Sequence, residues 1–215
     1  MKVKWLGHAS FLITSDNRTR IITDPYKSGG DFRYREVKGP ADIVTVSHDH
    51  GDHNHTVTVG GNPQILKGVK STEVKGIEFV GVASAHDEKQ GKERGLNTVF
   101  CFEVDSVHVC HLGDLGHKLT DREVAEIGKV DVLMIPVGGL WTIDARVATE
   151  VGQQLKAKVI IPMHFRNERA NLPVATVDDF LTGKKNVQIA DSSEIEIQAG
   201  KLPAETQIIV LKPAL

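Results

Sequence analysis

The sequence predicts an α/β (α+β) chain in which two β-sheets stack face to face and carry helices on their outer faces. Three observations point there. The first quarter is a succession of short apolar runs separated by turn residues, the middle holds longer apolar runs meeting at tight turns, and the final half alternates helix and strand signals. Stacked sheets covered by helices bury all of these strands at once. The 215 residues fit a single domain over 1–215, long enough to bury roughly 70 % of its unfolded surface. A hydrophobic fraction of 40 % and a charged fraction of 25 % are those of a soluble globular protein.

Taken in order, Val3 to Leu6, Phe11 to Thr14 and Arg20 to Thr23 read as strands, the last two joined by Ser15, Asp16 and Asn17, so the chain opens as antiparallel sheet. Asp24-Pro25 ends the third strand; Asp24 is either a turn cap or a brace for the histidine-rich stretch downstream of it. A polar loop runs from Gly29-Gly30 to Gly39-Pro40. Gln64 to Lys67 and Glu73 to Ala83 add strand material with a hairpin turn at Lys75-Gly76. The loop Glu88 to Gly95 is either a lid or a solvated excursion. Val99 to Leu112 reads as a hairpin turning at Asp105-Ser106, which pairs Glu103 with His108 and Cys101 with Cys110. That register makes His108 a cross-strand partner and the cysteines a buried, reduced pair. Thr120 to Glu123 forms a capping box for a helix that stops at Gly128. Val130 to Val137 is a strand, Ile143 to Lys156 a helix with Val147, Val151 and Leu155 on one face, Lys158 to Pro162 a strand, and Thr176 to Leu181 a short helix. Glu194 to Ile197 and Gln207 to Leu211 close the chain.

The chemistry gathers at one stretch. The run Ile43-Val44-Thr45-Val46 delivers Ser47-His48-Asp49-His50-Gly51-Asp52-His53-Asn54-His55, four histidines and two aspartates in nine residues. Imidazole nitrogen and carboxylate oxygen together suit zinc, iron, manganese or nickel. Residues two apart in an extended segment point the same way, so His48 and His50 can grip one ion while Asp52 and His53 face a second. Four ligands are too few for two ions. Three further ligand-type residues sit just beyond β-rich runs, His86, Asp114 and His164, and a common sheet edge would bring them to the histidine loop.

These residues resemble the metallo-β-lactamase superfamily. Its His-X-His-X-Asp-His signature stands here as His48, His50, Asp52 and His53, followed by His86, Gly113-Asp114 and Pro162-Met163-His164. Gly7-His8-Ala9-Ser10-Phe11, Thr23-Asp24-Pro25, Gly95-Leu96-Asn97-Thr98 and Pro136-Val137-Gly138-Gly139 look like the branch that includes ascorbate-phosphate lactonase-type hydrolases. The resemblance spans nearly the whole chain and implies a four-layered αβ/βα sandwich with the site at one edge of the sheets. It implies two divalent metal ions, zinc foremost, with manganese, iron or nickel also admitted by the donors. Metal one takes His48, His50 and His86; metal two takes Asp52, His53 and His164; Asp114 bridges them, since each carboxylate oxygen can bind a cation. A hydroxide shared by the ions is the implied nucleophile, with Asp52 as the catalytic group that orients it or shuttles its proton.

The superfamily hosts several chemistries, so departures from its patterns narrow the function. Asp87-Glu88 after His86 departs from the Gly-His-Thr-Pro-Gly pattern of thioesterases. The chain lacks room for the flavin domain of a di-iron oxygen reductase. What remains is a hydrolase of a small ester, lactone or related metabolite. The alternatives are a phosphodiesterase or nuclease, and a metal-dependent sensor or binding module. A formal charge of -2 without a long basic run gives no nucleic-acid footprint. The apolar stretches of the N-terminus are too short for a signal or a membrane span, which places the protein in the cytoplasm. His8 and His111 are candidate outer-shell residues. His55 and His117 are read as solvent-facing, and Arg94, Trp141, Arg166 and Arg169 as surface or packing residues on loops within reach of an anionic substrate.

Overall fold

A computed structural model describes residues 1–215. The chain opens with the antiparallel strands β1 (Lys2–Gly7), β2 (Ser10–Thr14) and β3 (Arg20–Thr23). β4 (Ile43–Val46) then joins β3 in parallel, and β5 (Gln64–Lys67) joins β4 in parallel. The second sheet begins as a meander of β6 (Ser71–Val74), β7 (Ile77–Ala85), β8 (Leu96–Val104) and β9 (Val107–His111). Its turns fall at Lys75-Gly76 and Asp105-Ser106, with φ of 53° and 76°, and 51° and 61°. Positive φ at both central residues is the type I′ geometry that matches strand twist. Glu103 faces His108 and Cys101 faces Cys110, as the hairpin register requires, with the free sulfurs 3.7 Å apart.

The alternating half of the chain extends this sheet in parallel. α1 (Asp121–Ile127) starts at a capping box of Thr120 and Glu123 and stops at Gly128. β10 (Val132–Pro136), α2 (Ala145–Leu155) and β11 (Val159–Met163) follow, with the Asp144 carboxylate capping α2 through the Val147 N–H. Every residue of β10 and β11 is buried, because helix and sheet cover both faces. α3 (Val177–Leu181), β12 (Val187–Ile189), β13 (Glu194–Glu196) and β14 (Gln207–Val210) complete the chain. β13 crosses over to pair with β1, giving orders β13-β1-β2-β3-β4-β5 and β12-β14-β11-β10-β9-β8-β7-β6. β12 carries no strong β pattern of its own; its pairing with β14 forms it.

The main core lies between the sheets and under the helices, with Trp5, Phe11, Phe79, Phe100 and Phe180 among its fully buried side chains. Each such side chain contributes about 1.5–3 kcal/mol of burial free energy. α1 packs on β7 and α2 on β10, so the helices cover the second sheet. The outer face of the first sheet differs. Ile22, Val44 and Val46 are sealed there by loop residues, chiefly Tyr26, Tyr34, Val37 and Leu172, in a separate apolar cluster. No helix of the chain is long and apolar enough to cross a membrane.

Candidate metal centre

Every candidate ligand sits just past the C-terminal end of a strand. His48 to His53 follow β4, His86 follows β7, Asp114 follows β9 and His164 follows β11. The fold brings all seven together. Oδ2 of Asp114 lies 3.1 Å from His86 Nε2, 3.2 Å from His53 Nε2, 3.3 Å from His164 Nε2 and 4.0 Å from His48 Nε2. His48 Nε2 is 3.0 Å from His50 Nδ1, and Asp52 Oδ2 is 3.6 Å from His53 Nε2. The donor atoms form three overlapping groups able to hold an ion: His48–His50–His86 and His8–Asp52–His53–His164, with His48–His53–Asp114 between them. One oxygen of Asp114 faces both groups, whereas Oδ1 is buried without a partner. Oδ2 is therefore the Asp114 oxygen that lies against imidazoles of both groups.

Asp24 orients the histidine loop, and its geometry decides between turn cap and brace. Fully buried with φ of 37°, it accepts from the Ser47 N–H at 2.8 Å through Oδ1, and from Ser47 Oγ at 2.6 Å and His53 Nδ1 at 2.8 Å through Oδ2. The proton on His53 Nδ1 leaves Nε2 with its lone pair facing the site. Ser47 spends its hydroxyl proton on Asp24, so at 2.9 Å it accepts from His48 Nδ1, and His48 Nε2, 3.0 Å from His50 Nδ1, likewise keeps its lone pair. Two imidazoles are thus held in the metal-binding tautomer by one carboxylate.

The electrostatics suit cations. Burial alone would lower His53 and His86, but Asp114 outweighs it and raises both. Burial would raise Asp114, yet His164 and His53 hold it well below the usual carboxylate range. Carboxylates that favour a proton at these nitrogens favour a metal ion there too. Burial, reinforced by His53, lowers His48 to about 4; burial, reinforced by His164, lowers His8 to about 4. Both are neutral at pH 7 with lone pairs available. His8 Nε2, His53 Nε2 and Asp114 Oδ1 are buried without hydrogen-bond partners, so the residues fit a metal.

Comparison with known proteins identifies the family. The sequence profile of the beta-lactamase superfamily domain matches residues 2–164. The chain belongs to the metallo-β-lactamase superfamily. Among its superfamily relatives, a UPF0173 metal-dependent hydrolase of Archaeoglobus fulgidus is 30 % identical over 196 residues, covering 77 % of this chain and 83 % of the relative. One from Hyperthermus butylicus is 25 % identical over 98 % of this chain and 96 % of its own. A crystal structure from Thermotoga maritima, described as a Zn-dependent hydrolase of the superfamily, matches with TM-score 0.81 at 36 % identity, covering 98 % of this chain and 97 % of that one. The chain is a metal-dependent hydrolase of this superfamily.

Several residues of this superfamily site were not legible as functional. Asn97, buried on β8, accepts from the Asp114 N–H at 3.0 Å and donates to Ser84 Oγ and the Leu112 carbonyl, fixing the aspartate's backbone. A Cβ on Gly113 would lie 2.4 Å from Asn97 Oδ1 and 2.5 Å from Ser47 Cβ, so only glycine lets these elements meet. The Gly95-Leu96-Asn97-Thr98 segment was the available hint. The Asp87 carboxylate accepts from the N–H groups of Lys89, Gly91, Glu93 and Arg94, which overcome burial and hold it at about 2. Loop 88–95 is thereby a tied-down wall of the cleft.

The other histidines separate cleanly. His8 joins the second ligand group. His111 packs beneath the site, its Nε2 donating to the Ala9 carbonyl at 2.7 Å and its Nδ1 accepting from the Gly113 N–H at 3.2 Å. His117 lines the cleft beside His86 and accepts the Ala85 N–H. His108 pairs with Glu103 at 3.3 Å and Asp131 at 3.1 Å, away from the centre. His55 is half-buried and joins no ligand group. Two clefts of ≈ 360 and ≈ 550 Å³ flank the ligands, one beside His86 and Trp141, the other beside His48 and His50; exposed Arg94 lines both. Arg169 instead bonds the Leu215 carbonyl, and Arg166 lines neither cleft.

Proposed function

We propose that the chain is a dinuclear hydrolase of a small ester, lactone or related metabolite. The observation that carries this reading is Asp114 Oδ2, within 3.3 Å of imidazole nitrogens drawn from both ligand groups. His48, His50 and His86 would hold one divalent ion, Asp52, His53 and His164 the other, and Asp114 would join them. Zinc matches the nitrogen-rich donors, and manganese, iron or nickel are compatible with them. Bound there, two divalent ions would bring a shared water toward neutral pKa and polarise the oxygen under attack.

The protein's own groups do the rest. Burial opposes ionisation of Asp52, but His53 and His8 hold it well below the usual carboxylate range. It is thus ionised at neutral pH, and a carboxylate oxygen is available to accept a hydrogen bond from the attacking water and orient it. The Asp24–Ser47 network fixes His48 and His53, so no reorganisation is needed as charge develops. Arg94 stands between the two clefts to meet an oxygen-rich substituent, and Trp141 offers an apolar wall. Clefts of these volumes suit a small molecule.

Turnover on a panel of lactones, carboxylic esters and phosphodiesters, with the metal-loaded protein and an Asp52→Asn variant, tests the proposal. Ester or lactone hydrolysis that collapses in the variant is expected. Phosphodiester cleavage without ester hydrolysis would overturn the substrate class. Tight ligand binding without turnover would make the centre a sensor. Fewer than two bound ions per chain would overturn the dinuclear reading.

A further inference from the structure

We infer that His8 is a direct ligand of the second ion, closing with Asp52, His53 and His164 a pocket of three imidazoles and one carboxylate. The inference rests on the dinuclear reading above and adds an eighth side chain to it. His8 lies between β1 and β2, 40 residues before His48 in sequence, so nothing local to the signature points to it.

Three observations carry the assignment. First, His8 is only 2 % exposed, and its Nε2 is buried without a hydrogen-bond partner, although Asp52 Oδ2 is 3.3 Å away. A nitrogen serving only to donate to that carboxylate would be aligned for the bond. His53 Nε2 is likewise buried without an aligned hydrogen bond, 3.2 Å from Asp114 Oδ2 and 3.6 Å from the same Asp52 oxygen. Second, ligands about 2.0–2.1 Å from a tetrahedral ion stand roughly 3.4 Å from one another. The His8–Asp52 and His53–Asp52 separations match that edge, and the four donor atoms all lie within 4.8 Å of one another.

Third, the fold holds the imidazole there against a backbone preference. His8 adopts φ of 51° and His164 φ of 52°, left-handed values that cost a non-glycine residue about 1–3 kcal/mol. The two are tied together: the His8 carbonyl accepts from His164 N at 3.3 Å and from Trp5 Nε1 at 2.9 Å, and the rings stand 4.2 Å apart. A surface histidine needs no such anchoring. The second ion would then be enclosed by His8, Asp52, His53 and His164 with Asp114 Oδ2 beside it, while the first keeps the exposed His50 at the mouth.

The test uses the whole chain loaded with cobalt(II), and a His8→Gln variant whose amide has similar reach but binds metal poorly. In wild type, NMR should show six imidazoles with strong through-bond paramagnetic shifts: His8, His48, His50, His53, His86 and His164. His8→Gln should lose one of these sets, and its affinity for the second ion should fall about 10-fold or more, at least what losing an outer-shell partner costs. The first ion should stay, which also reports that the variant is folded. Five shifted imidazoles in wild type, or a variant that binds the second ion as tightly as wild type, would overturn the assignment. The first of these readouts needs no variant to fold. Two ions bound with His8 unshifted would refute this inference alone; a single ion in wild type would refute the dinuclear reading instead.

Discussion

Replacing Asp24 by asparagine tests how the centre is held. The carboxylate accepts three hydrogen bonds, from the Ser47 N–H, the Ser47 hydroxyl and His53 Nδ1. Asparagine keeps one oxygen, which can still serve the Ser47 N–H. Its NH2 group then faces two donors, Ser47 Oγ–H and His53 Nδ1–H. Relief comes if His53 moves its proton to Nε2, which removes the lone pair that would face the metal. Either the bond goes unmade or the tautomer is wrong, a penalty of about 1–3 kcal/mol for a buried group. At about 1.4 kcal/mol per factor of ten, that is roughly a 10- to 100-fold loss of metal affinity, the range found when outer-shell partners of metal-bound histidines are removed. The assay is competition for zinc between the protein and a chromophoric chelator at pH 7.5, with circular dichroism to verify the fold. A folded Asp24→Asn variant that binds within twofold of wild type would refute the tautomer argument.

Other perturbations probe separate parts of the structure. Asp114→Ala removes the oxygen facing both ligand groups; turnover should fall by roughly 100-fold or more and at least one ion per chain should be lost by metal analysis. A Cβ on Gly116 would stand 2.2 Å from the His86 carbonyl carbon and 2.3 Å from Asp87 N, both backbone atoms. Gly116→Ala should therefore destabilise by about 1–3 kcal/mol or more in chemical denaturation and weaken the His86 group, whereas wild-type stability would contradict this packing. Asp131, away from the site, accepts from His108 N at 2.9 Å and Lys129 Nζ at 3.2 Å. Burial would raise it, but those partners hold it below its ordinary value, so its stabilisation is present above about pH 4 and is lost as pH falls through the lower folded value. Asp131→Ala should cost about 1–3 kcal/mol at pH 7 and progressively less under acid conditions; a pH-independent difference would show that the charge plays no part.

Much of this molecule was legible before folding because the information is local. Period-two apolar runs, the turn pairs Lys75-Gly76 and Asp105-Ser106, and the Thr120–Glu123 capping box each act within a few residues. The histidine loop announced metal chemistry by composition alone, and strand ends nominated His86, Asp114 and His164. Short strands such as β12 were not legible, since partners distant in sequence create them. The loop layer over the first sheet escaped for the same reason: Tyr26, Tyr34 and Val37 carry no period, and only the sheet beneath them makes them core.

The sequence by itself determined the donor chemistry, the hairpin registers and the strand ends from which ligands come. Tertiary structure decided which donors meet: that Asp24 serves His53 and Ser47 and caps nothing, that one oxygen of Asp114 faces both groups, and that His8 points into the second. Each depends on contacts between atoms brought within about 3 Å by separate strands. Side-chain period and turn chemistry fix where a residue sits on its own element, but carry no information about which side chain of another element will stand opposite it.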